Sequence, residues 1–241
     1  VQKAQWELIL FLIFFTSSKI FAITNYVSLS GGHVSPFTSW ADAATNIQTA
    51  VDVASDDDMV LVNDGTYYPI DTITVKSNIT IKSNNGAENT IVDAGFPKRT
   101  NGCFILNNYD AKPTNDGFTI TNGYSYEGGG VFCRGGTVQS CLINGNSAAD
   151  NNGGAYCNEG MIFNCTIIGN SATANGGVRG YNGTVLNSIL WNNTNGNFSS
   201  SGSSSTNFYN CIEDWTSLAN GIITNSPEFI DAAFGNYNFD F

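Results

Sequence analysis

The chain has 241 residues, 41% apolar and only 12% charged, with 26 glycines and a net charge of −11. That length suits one large domain, and an apolar-rich, charge-poor balance excludes a disordered chain. The acidic surplus argues against a nucleic-acid partner, which needs a basic face to neutralise phosphates, and it opposes a polyanionic substrate unless local Arg, Lys or bound cations offset it.

At the N-terminus, Lys3 precedes the apolar run 8–15, then Thr16-Ser17-Ser18-Lys19 and Ile20-Phe21-Ala22. This is the pattern of a secretory signal over residues 1–22, so the protein is expected to be secreted or on the cell surface. An uncleaved N-terminal anchor is the alternative. The run is too short for an ordinary span, so no membrane span is expected in the mature chain. The chain starts at Val1 and stops at Phe241, which reads as a fragment of a longer reading frame.

Residues 23–58 follow as an N-terminal unit. Tyr26-Val27-Ser28-Leu29 predicts a first strand, and Gly31-Gly32 a turn. Ser39-Trp40-Ala41-Asp42 has the spacing of a capping box. Trp40, Ala44, Ile47, Val51 and Ala54 then fall three or four apart, which predicts an amphipathic helix ending by Ser55. Such a helix is suited to covering the open end of a stack of coils. Asp56, Asp57 and Asp58 form the only acidic run. They read as a solvated turn, with a calcium site as the sharper alternative.

From Met59 onward, short β-branched segments alternate with turns rich in Gly, Asn and Asp. Residues 128–151 are then nearly repeated by 152–175, and again by 176–197. Cys133 recurs as Cys157, Cys141 as Cys165, and Asn146 as Asn170, each 24 positions on; Cys165 to Ser188 and Asn170 to Asn193 are 23 apart. A fixed period of this size means stacked units that bury their apolar faces only against their neighbours. The fold expected is therefore all-β, a parallel β-helix solenoid of about 22–24 residues per coil over residues 59–215, with an N-terminal capping helix.

The inward ladder reads Phe118, Cys141, Cys165, Ser188, Cys211. The next inward rung reads Ile120, Ile143, Ile167, Leu190, Glu213. Glu213 interrupts that column, which predicts an end or bend there. Residues 193–205 read as a loop or a disordered segment, and 216–241 as a C-terminal segment that is cut short. Six cysteines in an exported chain invite a disulfide reading. Their ladder spacing instead favours stacked, buried thiols, because aligned Cβ vectors do not suit the disulfide dihedral. Asn146, Asn170 and Asn193 are expected to bond amide to amide between coils.

The turn at residues 64–68, the segment GFTITNG (117–123) and the GG-x-x-C … N-C-x-I-x-x-N units resemble the right-handed parallel β-helix superfamily of pectate and pectin lyases. The paired glycines also resemble polymorphic outer-membrane proteins and autotransporter passengers. The first resemblance implies polysaccharide or a cell-surface glycan as partner, and an enzyme, if it is one, of the polysaccharide lyase or glycoside hydrolase kind. The second implies a non-catalytic adhesin or structural stalk. No cofactor is expected, except that a lyase-like mechanism would bring calcium with it, along with a cationic base; Arg134 and Arg179 are the base candidates. The Gly-His-Gly and Arg-x-Lys segments of a polygalacturonase-like site are absent, and the one histidine, His33, precedes the helix.

Strand register places Phe132, Tyr156 and Arg179 in one outward column and Arg134, Asn158 and Tyr181 in the next. Glu127 and Glu159 flank them. Aromatic rings beside polar and basic groups at coil spacing suit a linear glycan. The same residues equally suit a ladder stabilised by cross-strand pairing on a wet face.

Overall fold

A computed structural model describes residues 22–216, 219–227, 229–231 and 236–239. The secretory signal expected over residues 1–22 lies, apart from Ala22, outside the described residues.

The chain winds into a parallel β-solenoid of about six turns. Three sheets form its faces. The first has eight strands, from Thr24–Val27 and Met59–Val62 to Thr184–Leu186 and Thr206–Phe208. The second has seven, from Gly65–Tyr67 to Cys211–Ile212. The third has six, Ile73–Val75, Phe104–Asn107, Val131–Arg134, Ala155–Asn158, Val178–Tyr181 and Phe198–Ser201. A short sheet of three strands, Tyr124–Glu127, Ser147–Asn151 and Ser171–Ala172, lies between the second and third faces in chain order.

Each coil turns its corners on left-handed residues, which explains the Gly and Asn content. From third face to first the corner is Gly135, Glu159, Asn182 and Gly202; from first to second it is Gly117, Ser140, Asn164, Asn187 and Tyr209; after the second it is Asn122, Gly145, Gly169 and Asn192, all at positive φ. Gly and Asn are the residues that enter this region at least cost. The paired glycines have a second cause. A Cβ on Gly129 would sit 2.0 Å from the carbonyl oxygen of Ser147, and one on Gly153 2.2 Å from that of Ser171. Backbone passes so close to backbone there that no side chain fits.

Inside, Ile120, Ile143, Ile167 and Leu190 stack as one fully buried column. Such a column holds only if every coil keeps its register, since a one-residue slip turns the apolar set outward. The last coil corrects the expected register. Ile189 pairs with Cys211 and Leu190 with Ile212, so the column continues through Ile212 and the corner below it holds Asn210, not Cys211. The last step is 22 residues. Glu213 is exposed and breaks nothing; its Oε2 accepts from the Asn192 amide at 2.6 Å. Residues 193–205 are likewise not a structureless loop, because Phe198–Ser201 adds a strand in register with Val178–Tyr181. Its Phe198 ring fills the space beside Gly180, where earlier coils carry Cys133 and Cys157.

All six cysteines are free and buried. Cys133 and Cys157 are register partners, as expected of core rungs. At the first-to-second corner the role is to accept a backbone N–H from the preceding coil. Cys141 Sγ accepts from Phe118, Ser188 Oγ from Cys165 at 3.1 Å, and Asn210 Oδ1 from Ser188 at 2.7 Å. The asparagine ladder forms too. Asn146 Nδ2 donates to Asn170 Oδ1 at 3.0 Å, Asn170 Nδ2 to Asn193 Oδ1 at 2.9 Å, and Asn193 Nδ2 to Asn197 Oδ1 at 2.8 Å. Asn197 Nδ2 ends the series on Asp214 Oδ1 at 3.0 Å.

The N-terminal helix is shorter than expected. It spans Ile47–Val53 with Asn46 as N-cap, not Ser39. Ser39 and Asp42 form half of a capping box: the Asp42 amide donates to Ser39 Oγ, while the Ser39 hydroxyl, not its backbone N–H, donates to the Asp42 carboxylate. The chain cannot continue as a helix from there, because Ala44 is drawn into a parallel bridge with Val27 and exchanges backbone bonds with Tyr26 and Ser28. Trp40 is left at the surface, edge-on to Tyr26. Ile47, Ala50 and Val51 still bury the helix against the first strands.

Candidate functional site

The outward side of the third face brings together most of the residues singled out from the sequence. Ile105, Phe132, Tyr156, Arg179 and Ser199 form one column, and Asn107, Arg134, Asn158, Tyr181 and Ser201 the next. Parallel pairing holds successive members about 4.8 Å apart. Flat, regular strands thus convert a sequence period into a row of side chains.

The columns are knitted together by ring contacts. Phe132 and Tyr156 meet edge to face, with centroids 5.1 Å apart. The Arg179 guanidinium lies 5.8 Å from the Tyr156 ring centre, and its Nε donates to Ser201 Oγ at 3.2 Å. The Arg134 guanidinium lies 5.2 Å from the Phe132 ring and 5.6 Å from that of Tyr109. Guanidinium over ring is favourable by about 0.5–2 kcal/mol, more as water is excluded. Tyr109 was not singled out from the sequence. It belongs to the turn after Phe104–Asn107, outside the repeat units, so no periodicity marks it.

Charge is distributed unevenly. Glu127, from the short sheet, reaches Arg179 with Oε1 3.8 Å from a guanidinium nitrogen. Burial raises the Tyr156 hydroxyl above its ordinary range; Arg179 pulls it down and Glu127 pushes it up. Arg134 has no carboxylate partner among the described residues.

Two expected contributors have different places. Asn158 is 9% exposed, so it lies in the floor of the face. Glu159 occupies a left-handed corner at φ 54 and points the chain toward the first face. The acidic run is a structural turn. Asp58 accepts from the Ile23 and Ser55 amides at 2.7 and 2.8 Å, Asp56 from the Asn78 amide, and Asp57 from the Asn78 side chain. Among the described residues no group of three His, Cys, Asp or Glu side chains is placed to hold a metal ion. No described helix is long and apolar enough to cross a membrane.

No protein-family model and no curated protein sequence matches the chain. Among solved structures it is similar to a rhamnogalacturonan lyase, at 12% identity and TM-score 0.41 over 86% of this chain and 66% of that one. It is also similar to a pectin methylesterase from Aspergillus niger, at 13% identity and TM-score 0.39 over 90% of this chain and 96% of that one. Overlaps this loose carry no argument about activity.

Proposed function

We propose that this is an exported or cell-surface parallel β-helix protein that binds polysaccharide along the outward side of its third face. The observation that supports it best is the set of ring and guanidinium contacts there. Tyr109, Phe132 and Tyr156 hold Arg134 and Arg179 in fixed positions, in two columns that follow the solenoid axis. A linear polymer presents alternating apolar ring faces and polar edges. Rigid aromatics with pre-positioned donors match that pattern and lose little entropy on binding.

Binding, not turnover, is the function proposed. Two-carboxylate glycoside hydrolysis needs a pair of acids across the bond. Glu127 is the one carboxylate that meets an arginine of this face among the described residues. Lyase chemistry, with Arg134 or Arg179 as base, has the same gap, since no carboxylate set accompanies either. The alternative is a structural stalk, in which the ring contacts serve only to stiffen the sheet.

Affinity electrophoresis through gels containing a panel of polysaccharides tests the reading. Retarded migration is expected, and it should vanish in a Phe132→Ala/Tyr156→Ala variant that keeps the wild-type circular dichroism. Unretarded migration in every gel would leave the stalk reading in its place.

A further inference from the structure

The middle of the third face holds an unsatisfied donor next to an unsatisfied acceptor. Arg134 and Asn158 are direct register partners on adjacent coils. Among the described residues, the buried Arg134 Nε–H has no acceptor and the buried Asn158 Oδ1 has no donor. Each orphan of this kind costs roughly 1–3 kcal/mol. An evolved sheet that could place almost any residue at an outward position would ordinarily remove them. Valine at position 158 would remove the second of them.

The two groups ask for a ligand of one kind. A hydroxyl accepts from Nε–H through its lone pairs and donates its proton to Oδ1, so it satisfies both. A carboxylate can accept from Arg134 but brings no proton for Asn158, and it would press a negative charge against that carbonyl oxygen. The wider field acts in the same direction. Arg179 is already opposed by Glu127, and the protein carries a net charge of −11.

We propose that the Arg134–Asn158 pair is a recognition site for an uncharged sugar hydroxyl, and that it makes the third face selective for neutral over uronate-bearing polysaccharide. This rests on the reading of that face as a glycan-binding surface. Phe132 and Tyr156 supply the stacking surface, and the pair supplies the polar lock. Tyr109, 42% exposed and carried on a turn, flanks the pair with its ring against the Arg134 guanidinium.

One polymer in two charge states gives the direct test, a polyuronate with free carboxyls and the same chain fully methyl-esterified, each titrated by calorimetry. The esterified chain is expected to bind at least about tenfold tighter, which is about 1.4 kcal/mol, with little dependence on salt. Tighter, salt-sensitive binding of the free acid would overturn the selectivity while leaving the glycan-binding reading intact. That is also the result expected if the Asn158 amide were turned to present its NH2 group. Binding of neither chain, nor of neutral glucans and galactans, would sink both. A second measurement separates recognition from structure. Asn158→Leu should weaken binding of the esterified chain at least about tenfold while Tm stays the same or rises, because the acceptor removed has no partner to lose. An unchanged affinity, or a fallen Tm, would show that the pair does not recognise ligand.

Discussion

Asn170 donates through Nδ2 to Asn193 Oδ1 at 2.9 Å, while its own Oδ1 accepts both the backbone and side-chain N–H of Asn146. It also bonds the carbonyls of Ile143 and Ile168. One buried side chain therefore closes the hydrogen-bond needs of three consecutive coils. Asn170→Ala should leave several buried groups unpaired and cost about 3–5 kcal/mol. Urea denaturation followed by circular dichroism reads this directly. A loss under about 1 kcal/mol would mean that water replaces the amide and that the ladder contributes little.

Substitutions at two glycines present for different reasons should behave differently. Gly169 lies at φ +65 with nothing near its missing Cβ, and Asn122 and Asn192 occupy the equivalent corner in other coils. Gly169→Asn should change Tm by no more than a few degrees. Gly129→Ala forces a methyl against the Ser147 carbonyl and should prevent folding or lower Tm steeply. Equal tolerance at both positions would contradict the close backbone approach.

Glu159 is a non-glycine, non-asparagine residue in the left-handed region, at the corner where other coils use Gly135, Asn182 and Gly202. Glu159→Asn should stabilise by about 0.5–1 kcal/mol. A thermal melt that moved down would indicate that the carboxylate makes a contribution beyond the turn.

Ile143 sits fully buried between Ile120 and Ile167. Ile143→Asp places a carboxyl where no partner can reach it, and cooperative unfolding should be lost or shifted by more than about 4 kcal/mol. A wild-type melting curve would refute the register of the second face.

Cys103 is fully buried and its thiol is pushed up to about 12, chiefly by desolvation. A raised folded pKa means that the folded state holds its proton longer than the unfolded chain does. The associated stability is complete below the unfolded value near 9 and is lost as pH climbs from there toward about 12. Cys157 and Cys141 shift the same way, the former through its bond with Cys133 and then burial, the latter through burial first. Stability measured by urea should fall above pH 9, and Cys103→Ala should flatten part of that slope. Native protein should also resist alkylation by iodoacetamide at pH 8, with six thiols labelled only after denaturation. Rapid labelling in the native state would show that the coils open.

The repeat made the middle of this fold readable because strand alternation and coil period leave few choices for Ile143, Cys165 or Asn170. At the ends that logic fails. The last step shrinks to 22 residues, so extrapolating a step of 23 put Glu213 where Ile212 sits. Near the N-terminus, Ser39 and Asp42 satisfy a helix-start pattern locally, yet the pairing of Ala44 with Val27 overrides it. In the candidate site, columns were legible and depth was not. Register fixed Asn158 beside Arg134, but its burial depends on the rings around it. Tyr109 depends on a turn whose path no period encodes.

The left-handed corners and the amide ladder have a genetic consequence. The middle coils present matching backbone and amide groups to both neighbours, so each can serve as an interchangeable cassette. The stretches 128–151 and 152–175 keep the same cysteine, glycine and asparagine positions, so adding or removing one whole stretch would leave the coil-to-coil register intact. Each gain would lengthen the third face by about 4.8 Å. The length of that face, and the number of outward columns it carries, is therefore a quantity that copy number can tune.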